Sequence, residues 1–431
     1  MKSLIFKIIN MIPRDLYYCN EYKKIKKLLS NKMCISEELK RELLVKQLKN
    51  AIENVPYYRE LNINISSKEI KKENVYEILN LFPYLDKKTI MDNTEKFISD
   101  KIDVNSKRLL KRTSGGSTGN GIKVYRILKE LMIERAFYDH EWEKYGYKSS
   151  SKIVRMGCDG IKNTNENPFT KKGNKLFISP YHLNNKWIDE IYNKILEHKV
   201  EYFHVYPSNI EYLARYMKRK NKKINTTRAI FLASERVSEE LLNLLKEVFQ
   251  NVNISFSYGL TERTNLAWGE FNGEHISYRI EELYGYHENF VTEDNRYEIV
   301  GTSYWNFTMP FIRYRTQDFG RINNGYIESL DGRNQEFLVT KQNNKIPGFT
   351  ISIDKFVWDY VEAFQVIQNE IGKVEFYIVP KSNFNSTIER KILKSQENKW
   401  GEFFDMKIII KNEILRTDSG KYRLVINNIK I

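Results

Sequence analysis

The sequence predicts an α/β protein with a large N-terminal domain and a small α+β domain at the C-terminus. Between residues 150 and 260, short apolar strands alternate with amphipathic helices, which is typical of a sheet covered by helices. Residues 276–330 look β-rich, and the last hundred or so residues suggest three strands around one polar helix. The length of 431 residues accommodates two to three domains.

The first 60 residues are predicted to be helical and basic. Ser36 is a good N-cap, and Glu37 and Glu38 fall in the first turn, where the helix dipole favours acidic side chains. This helix should end before Pro56. A second helix, over residues 127–146, is rich in aromatic residues, and its His140 is interpreted as a packed residue rather than a catalyst.

The central region predicts four strands and two clear helices. Pro207 and Ser238 begin the helices, each of which carries apolar residues on one face. The predicted strands are Ile153–Gly157, Glu201–Tyr206, Ala229–Ala233 and Asn253–Tyr258.

The composition favours a folded protein in a reducing compartment, and we expect it to be cytoplasmic. A hydrophobic share of 41%, with 28 Tyr and 23 Phe, argues against global disorder. No apolar run approaches the roughly 20 residues of a membrane span. Cys19, Cys34 and Cys158 have neither metal-ligand nor disulfide spacing.

The net charge of +15 has two interpretations. It can attract anions such as nucleotides, coenzymes or an anionic membrane face, or it can reflect an abundance of lysine throughout the chain, which we favour. Nucleic-acid binding has only this charge behind it and is not expected. The basic segment from Lys23 to Lys32 surrounds Leu28 and Leu29, so peripheral membrane contact is an alternative to a solvated helix face.

A glycine-rich stretch, TSGGSTGNGIK, occupies residues 113–123. Glycines bring backbone N–H groups close to a ligand, and the hydroxyls and Lys123 suit phosphate oxygens. It is not a Walker loop, because Ile122 and Lys123 stand where lysine and Ser/Thr are required. A flexible turn or linker is the alternative.

Another motif, YGLTE at residues 258–262, directly follows the fourth strand. Ligands of open α/β sheets bind beyond the carboxyl ends of strands, so this position suits a site. A tight turn with a solvent-exposed glutamate is the alternative. Further along the chain stand RYRTQD at 313–318, DGR at 331–333 and RTDSGK at 416–421.

Together, in this order, these five motifs resemble the adenylate-forming superfamily of acyl-CoA synthetases and ligases. Within it, the chain looks most like the branch of phenylacetate–CoA ligase and the CapK-type proteins of capsular polysaccharide clusters. The segments VPYYR and YPSNIEYLARY and the Ala233-Ser234-Glu235 turn also look like that branch. The likeness runs from about residue 45 to the end of the chain.

The resemblance implies activation of a carboxylate by ATP as acyl-AMP, with release of pyrophosphate. The acyl group then passes to a thiol, usually coenzyme A, or to an amine or hydroxyl. It also implies an adenylation domain over residues 1–332 and a small mobile domain over 333–431 that turns between the half-reactions.

The family's site residues carry over onto matching positions. Two of them are assigned to the reaction itself: Thr261 would contact the α-phosphate or acyl oxygen, and Lys421 would bridge the carboxylate and α-phosphate. Glu262 would bind Mg²⁺. The remaining residues would bind ATP: Ser114, Gly115, Gly116, Ser117, Thr118 and Gly119 at the phosphates, Tyr258 at adenine, Asp318 at both ribose hydroxyls, and Arg333 at ribose or phosphate. Gly259, next to Tyr258, is also expected in the ATP site.

Three positions depart from the family's pattern. Gly116 is an extra glycine in the phosphate loop, Gln317 replaces a usual glycine, and Asn334-Gln335-Glu336 stands where many members have an aspartate pair. Asn334-Gln335-Glu336 is the expected hinge of the small domain, so its change affects the second half-reaction more than the first.

Alternatives to a CoA ligase are an amide-forming ligase that uses an amine such as an amino sugar, a silent nucleotide-binding relative, and a membrane-associated glycosyltransferase. The segments expected to form the acid pocket contain Phe137, Tyr138 and Tyr206. Our hypothesis is therefore that the substrate is an aromatic or apolar acid.

Overall fold

The computed structural model describes most of the chain. The described residues are 12–31, 35–61, 63–114, 122–157, 166–293, 295–328, 330, 332–333, 337–347, 353–354, 356–416 and 422–429. Helices within them are α1 (Asn20–Ser30), α2 (Glu37–Asn54), α3 (Pro56–Glu60), α4 (Val75–Leu81), α5 (Lys87–Asp92), α6 (Leu128–Glu143), α7 (Ile188–His198), α8 (Pro207–Arg219), α9 (Glu239–Phe249), α10 (Val357–Tyr360) and α11 (Ser386–Trp400).

The N-terminal helices form as the sequence predicts. Ser36 Oγ accepts a hydrogen bond from the Leu39 N–H at 3.1 Å, and α2 ends two residues before Pro56. Helix α1 buries one face against α6, while Lys23, Lys24 and Lys27 remain exposed. The buried residues of that face are Tyr22, Ile25 and Leu29.

Ten strands form the largest sheet. Its parallel centre consists of β5 (Lys175–Ile178), β3 (Ile153–Met156), β6 (Tyr202–Val205), β7 (Ala229–Leu232) and β8 (Asn253–Gly259). The flanking strands are β4 (Phe169–Lys172), β9 (Leu266–Phe271), β10 (Ile276–Ile280), β14 (Ile322–Asn323) and β15 (Tyr326–Ile327). The order across the sheet is β14-β15-β10-β9-β8-β7-β6-β3-β5-β4. The four predicted strands and the helices after Pro207 and Ser238 are confirmed to within a residue or two.

An antiparallel sheet lies next to the large one. It consists of β11 (Gly285–Val291), β12 (Tyr297–Ser303), β13 (Tyr314–Phe319) and β16 (Gly332–Arg333), in chain order. A separate hairpin, β1 (Leu110–Thr113) and β2 (Lys123–Arg126), flanks the glycine-rich stretch.

A smaller unit follows at the C-terminus. Strands β21 (Asp405–Ile410), β20 (Lys373–Pro380), β19 (Val361–Glu370) and β22 (Val425–Asn427) form one sheet in that order, with α11 packed on it. The short pair β17 (Phe337–Val339) and β18 (Lys345–Pro347) precedes this sheet. The large α/β region and the small α+β unit confirm the predicted fold class, while the boundary between residues 332 and 333 stays a prediction.

The small unit contacts helix α8 and the segment just before α7 of the large one. The Asn185 amide donates to both carboxylate oxygens of Glu362 at 2.7 Å. The Arg215 guanidinium stacks over the Trp358 ring, 4.2 Å from its centroid. Among the described residues, no helix has the length and apolarity needed to cross a bilayer.

Candidate active site

Two sequence-distant motifs meet beyond the end of β8. The Tyr258 hydroxyl donates a buried hydrogen bond to Asp318 Oδ2 at 2.9 Å. The exposed fractions of these two residues are 7% and 6%, so the contact is shielded from water. The bond joins the large sheet to the antiparallel sheet, and it brings the predicted adenine-binding residue next to the predicted ribose-binding residue.

The backbone around Asp318 is irregular, and this irregularity positions its carboxylate. The pairing of β12 with β13 shifts register between Glu298 and Val300. The Thr316 hydroxyl donates to the Ile299 carbonyl at 2.8 Å and accepts from the Asp318 N–H at 3.0 Å. A side-chain hydroxyl therefore fixes the backbone of the residue that carries the carboxylate.

Gln317 has a backbone conformation that favours glycine. Its φ is +62°, in the left-handed region that glycine occupies without strain. A buried carboxylate holds the residue there, because Glu298 Oε1 accepts from the Gln317 N–H at 2.9 Å. The glycine-type backbone is thus kept with a glutamine, at a cost of about 1–2 kcal/mol.

Strand β16 brings the DGR motif to the same place. Its Arg333 pairs with Asp318, and Gly332 pairs with Phe319. The backbone of a third predicted motif thus lies directly beside the Tyr258–Asp318 contact.

Glu262 lies in the turn between β8 and β9. Its exposed fraction is 6%, and Glu262 Oε1 accepts from the Tyr314 hydroxyl at 3.3 Å. The alternative of a solvent-exposed glutamate is therefore wrong. Thr261, one residue earlier, is half-buried, and Gly259 is the last residue of β8 and is exposed.

Glu262 fits the role of a magnesium ligand on chemical grounds. Mg²⁺ in nucleotide sites is commonly held by one or two carboxylates, with water and substrate phosphates completing its shell. In the part of the chain that the structure describes, no group of three or more His, Cys, Asp or Glu residues could hold a metal without such help. Magnesium at Glu262 remains a prediction.

Ser114 is hydrogen-bonded to Ile122 across the two ends of the glycine-rich stretch that is predicted to bind phosphates. Its N–H donates to the Ile122 carbonyl at 2.9 Å, and its hydroxyl accepts from the Ile122 N–H at 2.9 Å. The other predicted loop residues, Gly115, Gly116, Ser117, Thr118 and Gly119, lie outside the described residues.

Lys421 also lies outside the described residues, but both flanks of its loop are described. Arg416 and Tyr422 form an isolated backbone bridge. The Arg416 guanidinium donates to Asn209 Oδ1 at 3.1 Å, in the first turn of α8. Because α8 follows β6, Arg416 reaches the carboxyl edge of the parallel strands, where Tyr258 also lies.

An aromatic pocket lies between α6 and one face of the large sheet, and its side chains pack so closely that no water-sized sphere fits in it. Trp142 stacks on Phe231 with ring centroids 4.3 Å apart and an interplanar angle of 2°. Burial and the nearby charges of Arg155, Arg135 and Lys175 hold the pKa of His204 well below its usual value, so this imidazole is neutral. The pocket is lined by Tyr138, Trp142, His204, Phe231, Leu232, Ala233, Ser255, Phe256, Ser257 and Trp268.

The segments predicted for the acid pocket contribute to it only in part. Tyr138, His204 and Ala233 line the pocket. Phe137 instead packs in the core against Tyr284, with ring centroids 5.1 Å apart.

Two arginines of the RYRTQD motif anchor β13, a role that the motif by itself did not predict. Arg313 forms a two-point ion pair with Glu288 at 2.9 and 3.0 Å, and its guanidinium lies 3.9 Å from the Tyr84 ring centroid. Arg315 pairs with Glu298 at 2.9 and 2.6 Å. Side chains alternate between the two faces of a strand, so this pattern places the two arginines on the face opposite Asp318. That alternation was the sequence signal that could have predicted their separate role.

Arg313→Met is expected to lower the free energy of unfolding by about 3–5 kcal/mol, because Glu288 would be left buried without a partner. The side chains of this pair are 8% and 15% exposed. Urea denaturation measures the change. The matched control is Arg279→Met, whose pair with Glu270 is 27% and 47% exposed and should contribute about 0–1 kcal/mol. Equal losses in the two variants would contradict the anchoring role.

Comparison with solved structures identifies the class of fold. A 2-hydroxyisobutyryl-CoA ligase in complex with R3-HIB-AMP superposes with a TM-score of 0.62 at 13% identity, covering 90% of this chain and 89% of that one. McyG A-PCP complexed with phenylalanyl-adenylate gives a TM-score of 0.51 at 14% identity, covering 90% and 87%. The chain therefore has the two-domain fold of the adenylate-forming ligases.

Sequence comparison then identifies the branch. Residues 338–428 match the family model of the CapK C-terminal domain. Protein CapK of Staphylococcus aureus is 25% identical over 397 residues, which cover 88% of this chain and 86% of CapK. The resemblance inferred from the five motifs is thus confirmed.

Proposed function

We propose that this protein activates a carboxylic acid with ATP, forming acyl-AMP and pyrophosphate, and then transfers the acyl group to an acceptor. The observation that carries the proposal is the buried Tyr258–Asp318 hydrogen bond of 2.9 Å. It joins two motifs 60 residues apart beside a third, at the sheet edge where ligands of such folds bind. The shared fold of the adenylate-forming ligases supports the same chemistry.

In the proposed reaction, an oxygen of the substrate carboxylate attacks the α-phosphorus, and the bond to the β-phosphate breaks with release of pyrophosphate. Asp318 accepts both ribose hydroxyls, and the Tyr258 ring covers adenine. The attacking acid is already ionised near neutral pH, so no general base is needed. Magnesium, when bound at Glu262, would neutralise phosphate charge.

Lys421 would supply the remaining positive charge. Attack of one anion on another is slowed by repulsion, and a fixed ammonium in a water-poor cleft offsets it. One flank of its loop, Arg416, contacts Asn209 at the carboxyl edge of the sheet. Rotation of the small domain would then withdraw Lys421 for the second half-reaction.

We propose coenzyme A as the acceptor, with an amine such as an amino sugar of a surface-polysaccharide pathway as the alternative. A 2-hydroxyisobutyryl-CoA ligase of the same fold has been solved with CoA. Loss of free thiol together with AMP release, both dependent on a carboxylate, would support CoA. AMP release only when an amine is supplied would support amide formation. AMP release with neither acid nor acceptor would contradict the proposal.

We also propose a cytoplasmic location. Two features support it. The cysteines of the sequence lack the spacing of a disulfide framework, and the proposed reaction consumes ATP.

We propose that the aromatic pocket, which has no room for a water-sized sphere as it stands, widens by side-chain movement to hold the acyl group. Trp142→Leu is expected to admit bulkier aromatic acids and to raise the KM of the best wild-type acid about 10-fold, since lost contacts of a few methylene groups are worth about 1–3 kcal/mol. Steady-state kinetics over an acid series measures this shift. Tyr297→Leu, at an exposed position on β12, is the control and should leave the series unchanged. An unchanged acid preference in Trp142→Leu would exclude this pocket.

A further inference from the structure

A second cavity, distinct from the aromatic pocket, lies between β2, α6 and the turn after β8. The centre of a water-sized sphere can occupy about 10 Å³ inside it, so the cavity has room for one small ion or molecule. The residues that line it are Arg126, Glu130, Ile133, Glu134, Arg263, Tyr284, Ser303, Trp305 and Asn306.

Hydrogen-bond donors without an acceptor surround this cavity. Arg126 Nε and Nη2, Arg263 Nε and Asn306 Nδ2 are buried and have no hydrogen-bond partner. The exposed fractions of these residues are 4%, 8% and 4%, so bulk water does not satisfy them. Leaving such buried groups unpaired is destabilising, and more so when they are charged.

The acceptors around the cavity are already engaged. Glu130 Oε1 accepts from the N–H groups of Phe307 and Thr308 at 2.9 and 2.8 Å, and Oε2 accepts from the Ile127 N–H at 3.2 Å. Glu134 accepts from the Tyr284 hydroxyl at 3.3 Å and forms a close ion pair with Arg263.

Ser303 is engaged in the same way. Its Oγ accepts from the Trp305 and Asn306 N–H groups at 3.1 and 3.2 Å. The wall of the cavity is therefore rich in free donors and poor in free acceptors.

We propose that this cavity binds one monoatomic anion, chloride under ordinary conditions, between Arg126, Arg263 and Asn306. A water molecule would bring two donors of its own, whereas a halide only accepts and can take all four free N–H groups. Burial and the neighbouring Arg263 charge lower the pKa of Arg126 to about 10, so its guanidinium is still charged at neutral pH.

The site would connect two parts of the proposed active site. Arg126 is the last residue of β2, the strand that follows the predicted phosphate loop. Arg263 directly follows Glu262. An anion held by both guanidiniums therefore links the base of the phosphate loop to the YGLTE turn. The binding proposal itself does not rest on the proposed function, because it is tested without catalysis.

Crystals of the full chain grown in sodium bromide test occupancy directly. We expect one anomalous peak within about 3.5 Å of Arg126 Nε and Asn306 Nδ2. An ordered water without anomalous signal, or an empty cavity, would overturn the proposal.

Thermal unfolding at constant ionic strength tests binding in solution. Potassium chloride should raise the midpoint by about 2 °C over potassium methanesulfonate, whose anion is too large for the cavity. Asn306→Asp keeps the Oδ1 acceptor of the Met309 N–H but replaces the donor with a negative charge, so it should abolish the difference. Arg126→Met should do the same.

Arg228→Met is the matched control, since it removes an arginine whose side chain is 63% exposed. It should keep the full chloride effect. If Arg126→Met does not fold, Asn306→Asp alone decides. An equal chloride effect in wild type and Asn306→Asp would overturn the proposal.

Discussion

Asp318→Asn is expected to lower carboxylate-dependent ATP–pyrophosphate exchange by about 100-fold or more. The asparagine keeps an oxygen that can accept from the Tyr258 hydroxyl, so the fold around this 2.9 Å contact should persist. What is lost is a charged acceptor for two ribose hydroxyls, and hydrogen bonds to a charged group are worth about 1.5–3 kcal/mol each. Exchange kinetics at saturating acid, together with the ATP KM, measures the effect.

Two further variants separate ligand binding from packing. Tyr258→Phe removes only the hydroxyl and should reduce exchange by about 10-fold, because its hydrogen bond to the charged Asp318 carboxylate is worth about 1.5–3 kcal/mol. Asp405→Asn removes a carboxylate whose side chain is 71% exposed, and should change nothing. Asp318→Asn with exchange within about 3-fold of wild type would rule out the ribose role.

Lys421→Ala is expected to reduce adenylate formation by about 10³-fold while ATP binding persists. The ammonium acts on charge that develops as the carboxylate attacks, and removal of one such preorganised group commonly costs 10²–10³ in rate. Exchange measures the chemical step, and equilibrium titration with ATP measures binding.

Lys394→Ala is the control for Lys421→Ala, since it removes an exposed lysine of helix α11 in the same small unit. It should leave both exchange and ATP affinity unchanged. Retained adenylation in Lys421→Ala would show that another group bridges the acid and the α-phosphate.

Much of the fold follows from local patterns in the sequence. The parallel strands are short apolar runs separated by helices with clear caps, and Ser36 and Ser238 both act as the predicted N-caps. Such signals depend on nearby residues only. That is why the strand around Tyr202–Val205 and the helix after Pro207 were predicted to within a residue or two.

The site geometry depends on contacts that no local pattern encodes. The Tyr258–Asp318 bond spans 60 residues and two sheets. The bulge that presents Asp318 uses a left-handed glutamine, which sequence rules for glycine do not anticipate. The motif order pointed to the site only through its family resemblance, and the buried partners of Arg313 and Arg315 were not predicted.

The basic N-terminal segment also shows that a local sequence pattern does not determine which side chains are buried. Its apolar residues suggested a membrane-facing surface, but Ile25 and Leu29 pack inward on α6. The exposed side presents Lys23, Lys24 and Lys27. Membrane contact therefore remains a prediction, and it would rest on these charges.

The central claim is that this chain forms acyl-adenylates, and ATP–pyrophosphate exchange tests it without knowledge of the acceptor. Purified full-length protein would be assayed with magnesium and a panel of aromatic, aliphatic and amino acids. We predict exchange that depends on one class of acid and falls to background without magnesium. ATP binding without exchange for any acid in the panel would contradict the proposed function.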